Sequence, residues 1–158
     1  MKILYICTHN RCRSILSEAI TNHEASGLIT AKSAGSQPAG EVHPLSLKFL
    51  SEAGYNTDGL TSQSWDKLAD FNPDLVVTVC DAAAGESCPL WMGNSLKVHW
   101  GLSDPSAMSG SIEQQAAAFD ACIDEIKHRV DQLKTLAQKN LSRDQLKLEL
   151  EQFGAHGS

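Results

Sequence analysis

Apolar residues recur in two alternating rhythms along this chain. Ile3-Leu4-Tyr5-Ile6 is a continuous run, which predicts a strand over residues 2–6 buried on both faces. The rhythm then changes: Ile15, Leu16, Ala19 and Ile20 share one helical face and predict a helix over 14–26. Residues 29–34 read as a second strand, stopped by Gly35-Ser36-Gln37-Pro38-Ala39-Gly40. A helix over 44–53 follows, with Leu45, Phe49 and Leu50 inward and Gly54 as its stop. A polar stretch leads through a short helix near 64–69. Leu75-Val76-Val77-Thr78-Val79 predicts a third strand over 74–79, and 96–100 a fourth. Ser111 and Gln114 have capping-box spacing. Behind them Ile112, Ala116, Phe119, Ile123, Ile126, Val130, Leu133 and Ala137 recur at alternating fours and threes, predicting a long amphipathic helix. A second box, Ser142 with Gln145, opens a short helix carrying Leu146, Leu150 and Phe153.

Strands alternating with helices predict an α/β domain, a small parallel sheet with helices on both faces. The 158 residues suffice for one domain with a substantial core, here 1–158, with a core over 1–137 and a C-terminal extension over 138–158. A formal charge of −6 argues against nucleic-acid or anionic-membrane partners. No apolar run approaches transmembrane length, and the first is too short for a signal peptide. Five cysteines without an export signal fit a reducing cytoplasm, where thiols serve chemistry. A cytoplasmic monomer is the expectation.

The chemistry concentrates where the first strand ends. Cys7-Thr8-His9-Asn10-Arg11-Cys12-Arg13-Ser14 joins that strand to the first helix. Five residues between Cys7 and Arg13 can wrap one tetrahedral oxyanion, with amide N–H groups and the helix N-terminus turned inward. Arg13 can grip two of its oxygens. The helix end and the arginine both favour thiolate over thiol, which marks Cys7 as a nucleophile. The loop has no glycine, so Asn10 must carry any left-handed backbone conformation. Cys7 as a buried strand-end thiol is the competing bland reading, and it leaves the spacing to Arg13 unexplained.

Cys-x5-Arg-Ser after the first strand, Ser33-Ala34-Gly35 after the second and Asp104-Pro105 late in the chain resemble the low-molecular-weight protein tyrosine phosphatase superfamily. Cys80-Asp81-Ala82-Ala83-Ala84-Gly85-Glu86-Ser87-Cys88-Pro89 and His99-Trp100-Gly101-Leu102-Ser103-Asp104-Pro105 are similar to its arsenate reductase branch. That resemblance implies a three-layer, flavodoxin-like fold with a four-stranded parallel sheet in the order 2-1-3-4. It also implies the catalytic set Cys7, Arg13, Cys80, Cys88 and Asp104. Residues Thr8 to Ser14 (Thr8, His9, Asn10, Arg11, Cys12, Arg13, Ser14) would hold the substrate, with Asn10 supported by Ser33. Cys7 would attack arsenate while Asp104 protonates the departing oxygen, and disulfides would pass from Cys7–Cys80 to Cys80–Cys88. Phosphate or sulfate would mimic the substrate.

The external reductant is thioredoxin or glutathione with glutaredoxin; the seven residues between Cys80 and Cys88 leave the two open. Some relatives hold potassium beside the loop. The matching residues are Asn10, Glu18, Ser33 and Asp66, but Trp65 interrupts the stretch, and no tightly bound cofactor or metal is expected. A phosphatase using a phosphocysteine is the alternative. It needs no second and third cysteine, and its members place an aromatic after Asp-Pro where this chain has Ser106-Ala107. Plainer readings stand for other residues: Cys12 as loop packing or a protective partner of Cys7, Cys122 as core, Asp104 as a turn cap, His9 as a rim residue, and His99, Trp65 and Trp91 as packing.

Overall fold

β1 (Lys2–Ile6) lies between β2 (Thr30–Ala34) and β3 (Leu75–Thr78), and β4 (Leu96–His99) completes a parallel sheet in the order β2-β1-β3-β4. The computed structural model describes residues 1–79, 95–100, 102, 104–107, 110–139, 141–142 and 144–150. Register is fixed by Tyr5 opposite Ser33 on one side and Val77 on the other, with Val77 opposite Val98. Parallel neighbours require crossovers, and the helices supply them. α1 (Arg13–Glu24) links β1 to β2, α2 (Pro44–Glu52) follows β2, and α3 (Ile112–Gln138) follows β4. This is the expected architecture, a four-stranded parallel sheet with flanking helices.

The continuous apolar run is explained by burial: Ile3, Leu4, Tyr5 and Ile6 are at most 1% exposed. Each such side chain contributes about 1.5–3 kcal/mol. Tyr5 buries its ring against Trp100, centroids 5.3 Å apart, and satisfies its hydroxyl on Thr21 Oγ1 at 2.7 Å. Phe49 of α2 meets Phe119 of α3 at 4.7 Å. The stop after α2 is a Schellman turn: Gly54 sits at φ 90°, Tyr55 N–H reaches Leu50 O at 2.9 Å, and Gly54 N–H reaches Ser51 O.

α3 opens with the full capping box, Ser111 Oγ accepting from Gln114 N–H while Gln114 Oε1 accepts from Ser111 N–H. Its inward stripe differs from the periodic reading at both ends. Ile112 is 57% exposed, because burial begins only at Phe119 and the first turns extend past the core. Near the C-terminus Leu136 is buried and Ala137 only half-buried, a shift of one position. The second box holds as well, Ser142 with Gln145, and it leads into helical residues 144–150 that bury Leu146 and Leu150; Phe153 lies outside the described residues. Among the described residues no helix is long and apolar enough to cross a membrane.

The chain leaves β1 towards β2 and later returns to β3 on the opposite side. That reversal opens a crevice beyond the carboxyl ends of β1 and β3, where open α/β sheets bind ligands. Cys7, the residue after β1, stands there.

Candidate active site

Between β1 and α1 most of the carbonyls are claimed by protein donors. Cys7 O accepts from Asn10 N–H at 3.2 Å, Thr8 O from Gln37 N–H at 2.9 Å, and His9 O from Ala39 N–H and Ser62 Oγ. Arg11 O accepts from His43 N–H at 2.9 Å and from Ser46 Oγ at 3.3 Å; Cys12 O accepts from Leu16 N–H. Among the described residues, the amides of His9, Arg11, Cys12, Arg13 and Ser14 meet no protein acceptor. Those of Arg13 and Ser14 belong to the first turn of α1, whose N-cap Cys12 supplies no side-chain cap and which carries no acidic residue. The result is a run of unclaimed amide donors that ends on a helix N-terminus, an arrangement that suits an oxyanion.

Asn10 carries the bend at φ 46° and is wholly buried. Its Nδ2 donates to Ser14 Oγ at 2.8 Å, and its Oδ1 accepts from Gln63 N–H at 2.8 Å. The expected direct support from Ser33 takes another form. Ser33 Oγ donates to Glu18 Oε1 at 2.8 Å, and Gln63 Nε2 donates to Ser33 O at 3.0 Å, so Gln63 is the link between Ser33 and Asn10. Gly35 fixes the spacing of the loop from β2: a Cβ there would run into the carbonyl oxygens of Cys7 and Thr8. Those backbone atoms are part of the loop and cannot yield without deforming it. Gly35→Ala is therefore expected to lower stability by about 2–4 kcal/mol and to weaken phosphate binding at least tenfold. Thermal melting and phosphate titration check this; a variant binding phosphate like the parent would contradict the assigned contact.

Arg13, the first residue of α1, is tethered at its far end. Nη1 donates to Leu102 O at 3.0 Å, and Nη2 lies 3.8 Å from Asp104 Oδ2. Asp104 Oδ1 in turn accepts from Ser106 N–H at 2.9 Å and Ser106 Oγ at 2.6 Å. Asp104 thus caps the short 3₁₀ turn Pro105–Ala107 with one oxygen and faces Arg13 with the other. The turn-cap reading of Asp104 holds, and its second oxygen faces the Arg13 guanidinium.

Of the described cysteines, Cys7 and Cys12 are both buried in or beside the loop, and Cys122 is on the buried face of α3. Burial pushes the Cys12 thiol up to about 11, against hydrogen bonds from Ser46 and Ser106. Burial, then the neighbouring Cys12, pushes Cys122 up to about 12. Both are protonated at neutral pH, in keeping with packing roles. Cys80, Cys88 and Trp91 lie outside the described residues; the described chain reaches Val79, whose N–H bonds Ile6 O beside Cys7.

The remaining expected residues fall at the rim. His9 is exposed and its Nδ1 donates to Gln37 O at 3.1 Å; Arg11 is exposed. His99 is paired through Nδ1 with Thr78 Oγ1 at 2.8 Å, and Trp65 packs against the core. Sequence reasoning missed His43, Ser46, Ser62 and Gln63, which grip loop carbonyls or Asn10 from positions up to 53 residues away. His43 also caps α2, its Nδ1 accepting from Leu45 N–H, and burial together with the Arg11 guanidinium holds its imidazole below the ordinary range.

A family model for low molecular weight phosphotyrosine protein phosphatase matches residues 2–146. The arsenate reductase of Halalkalibacterium halodurans is 35% identical over 136 residues, covering 86% of this chain and 94% of that protein. The thioredoxin-dependent arsenate reductase of Corynebacterium glutamicum superposes with a TM-score of 0.67 at 29% identity, over 89% of this chain. This chain spans 63% of the Corynebacterium protein's length. A structure described as an arsenate reductase in the phosphate binding state gives a TM-score of 0.71 at 27% identity, covering 86% of this chain and 98% of that one.

Proposed function

Because the chain belongs to the low molecular weight phosphotyrosine protein phosphatase family, we propose that it is an arsenate reductase working in a reducing cytoplasm through three cysteines. The observation that carries this reading is the loop from Cys7 to Ser14, with most of its carbonyls claimed by protein donors and Arg13 at its end anchored on Leu102 O. Arsenate carries the tetrahedral shape and negative charge that such a loop recognises. The names of its relatives favour arsenate over a phosphorylated protein. So does Ser106, which spends its hydroxyl on Asp104 where a phosphotyrosine pocket would want an aromatic wall.

Cys7 attacks arsenic as a thiolate, and Asp104 gives its proton to the oxygen that leaves as water. The product is a sulfur–arsenic(V) adduct on Cys7. Cys80 then attacks the Cys7 sulfur. The sulfur–arsenic bond breaks with its electron pair going to arsenic, which departs as arsenite(III) and leaves a Cys7–Cys80 disulfide. Cys88 attacks Cys80, freeing Cys7 as a thiolate and forming the Cys80–Cys88 disulfide. An external dithiol restores the starting state. The thioredoxin dependence named for the Corynebacterium relative favours thioredoxin over glutaredoxin.

The test is arsenate-dependent NADPH oxidation, run separately with a thioredoxin and a glutathione–glutaredoxin system. Turnover is expected with thioredoxin. Arsenate-independent hydrolysis of aryl phosphates, without any NADPH oxidation, would favour the phosphatase instead. Cys88→Ser is expected to complete a single turnover, releasing one arsenite per chain and stopping at Cys7–Cys80. Quenched-flow arsenite measurement checks it, and normal multiple turnover with thioredoxin would break the relay.

A further inference from the structure

Both donors of Ser106 converge on one oxygen of Asp104. Its N–H reaches Asp104 Oδ1 at 2.9 Å and its Oγ reaches the same atom at 2.6 Å, the length of a hydroxyl bond to an ionised carboxylate. A carboxylate oxygen offers about two lone-pair sites, and these two donors fill them. Among the described residues Asp104 Oδ2 accepts no hydrogen bond; Arg13 Nη2 stands 3.8 Å away, an ion-pair distance beyond hydrogen-bond length. The two oxygens of one carboxyl therefore differ: Oδ1 is saturated, and Oδ2 is open on the side of the guanidinium. The Ser106 hydroxyl is itself held from behind. The buried Cys12 thiol hydrogen-bonds Ser106 and Ser46, and Ser46 Oγ donates to Arg11 O at 3.3 Å. A carboxylate is a far better acceptor than a thiol, so the one hydroxyl hydrogen of Ser106 goes to Asp104 and its lone pairs face Cys12.

We infer that Ser106 is a positioning residue for proton transfer: by filling Oδ1 it confines the proton that Asp104 gives to Oδ2, the oxygen on the Arg13 side. The inference rests on reading Asp104 as the acid of the Cys7 reaction, and it holds whether that reaction ends in arsenite or in hydrolysis of a phosphate ester. In the step itself the Oδ2–H bond breaks as the oxygen leaving arsenic or phosphorus takes the proton, and the bonding pair stays on Asp104. Negative charge then gathers on the carboxylate, and the Ser106 hydroxyl donates to it more strongly than to the neutral acid. The help is therefore greatest in the transition state, which assigns it to kcat. A leaving oxygen that needs no proton gains nothing from it. Every residue but proline would supply the N–H; the hydroxyl is what serine adds.

The experiment compares the unaltered protein with Ser106→Ala, Asp104→Asn and the double variant, in single-turnover arsenite release and in cleavage of phenyl phosphate and dinitrophenyl phosphate. The dinitrophenolate leaves without a proton. Ser106→Ala is expected to lower kcat on phenyl phosphate, and the arsenite rate at saturating arsenate, by about tenfold to a hundredfold. KM, the Kd for inorganic phosphate and the rate on the dinitrophenyl ester are expected to stay within about twofold, a pattern that a loss of folded protein would not produce. In the Asp104→Asn background, Ser106→Ala is expected to cost no more than about twofold, because no proton is left to position. Equal losses on the two esters would overturn the inference, and so would a double variant whose loss is the product of the single losses. Ser106→Gly, which also lacks the hydroxyl, carries the same expectations should Ser106→Ala be unfolded. If arsenate alone is turned over, the double-variant comparison on arsenite release decides. Cleavage of phenyl phosphate with this pattern, without arsenate reduction, would remove the reductase reading and leave this one standing. Arsenate reduction indifferent to Ser106→Ala would do the reverse.

Discussion

Cys7→Ser is expected to abolish arsenate reduction, lowering turnover by a factor on the order of 10⁴ or more, while phosphate binding and the melting temperature stay close to those of the parent. The hydroxyl fits where the thiol sat, so the amides that line the loop keep their positions. What disappears is the sulfur on which both the arsenic adduct and the first disulfide depend. A serine oxygen cannot enter a disulfide, and of the other described cysteines neither Cys12 nor Cys122 can stand in. Cys12 is only 3% exposed and Cys122 8%, and burial holds both as neutral thiols. Substantial arsenate reduction by this variant would show that another sulfur starts the reaction. Arsenite release and intact-mass measurement of the adduct together read the outcome.

The second large effect belongs to Arg13. Arg13→Lys is expected to lower kcat/KM by about 10²–10³-fold, or roughly 3–4 kcal/mol of transition-state stabilisation. Charge is conserved in this change, so the loss measures geometry. The guanidinium is braced at Nη1 by Leu102 O and approached at Nη2 by Asp104, which fixes the plane of the fork. A lysine ammonium is a point charge on a flexible stem and cannot reproduce a planar, braced pair of donors. Steady-state kinetics with arsenate, and phosphate as competitive inhibitor, separate the binding share of the loss from the share in the chemical step. Kinetics close to those of the parent would remove bidentate binding from the account.

How much of this was legible in the sequence follows from the range of each interaction. The strand over 2–6, the loop after it and the first helix, expected over 14–26 and found at Arg13–Glu24, are local. An apolar run, a five-residue spacing and a 3.6-residue rhythm specify them, and the structure places them as expected. The burden on Asn10 was also legible, because a loop without glycine must find a tolerant residue for its positive φ. Gln63 was invisible for the opposite reason. Its hold on Asn10 spans 53 residues and its hold on Ser33 spans 30, and nothing in a polar loop marks which amide will turn inward. His43 and Ser46 grip Arg11 O by the same long-range logic. Gly35 was readable as part of a motif but not as a contact; its cause is the carbonyl pair of Cys7 and Thr8 on the adjoining strand end. Ile112 shows the converse failure. Periodicity continued one turn past the core, because a rhythm records which face points inward and not where the neighbour stops.

The central claim is that Cys7 is the reactive sulfur at the floor of an oxyanion-binding loop, and alkylation mapped by mass spectrometry tests it most directly. Reduced protein is treated with iodoacetamide at neutral pH with and without arsenate or phosphate, and the labels at Cys7, Cys12 and Cys122 are compared. The account predicts that Cys7 is labelled well ahead of Cys12 and Cys122, and that either anion slows its labelling in proportion to occupancy. Labelling of Cys7 that is no faster than that of Cys12 and Cys122, or unaffected by saturating anion, would contradict it.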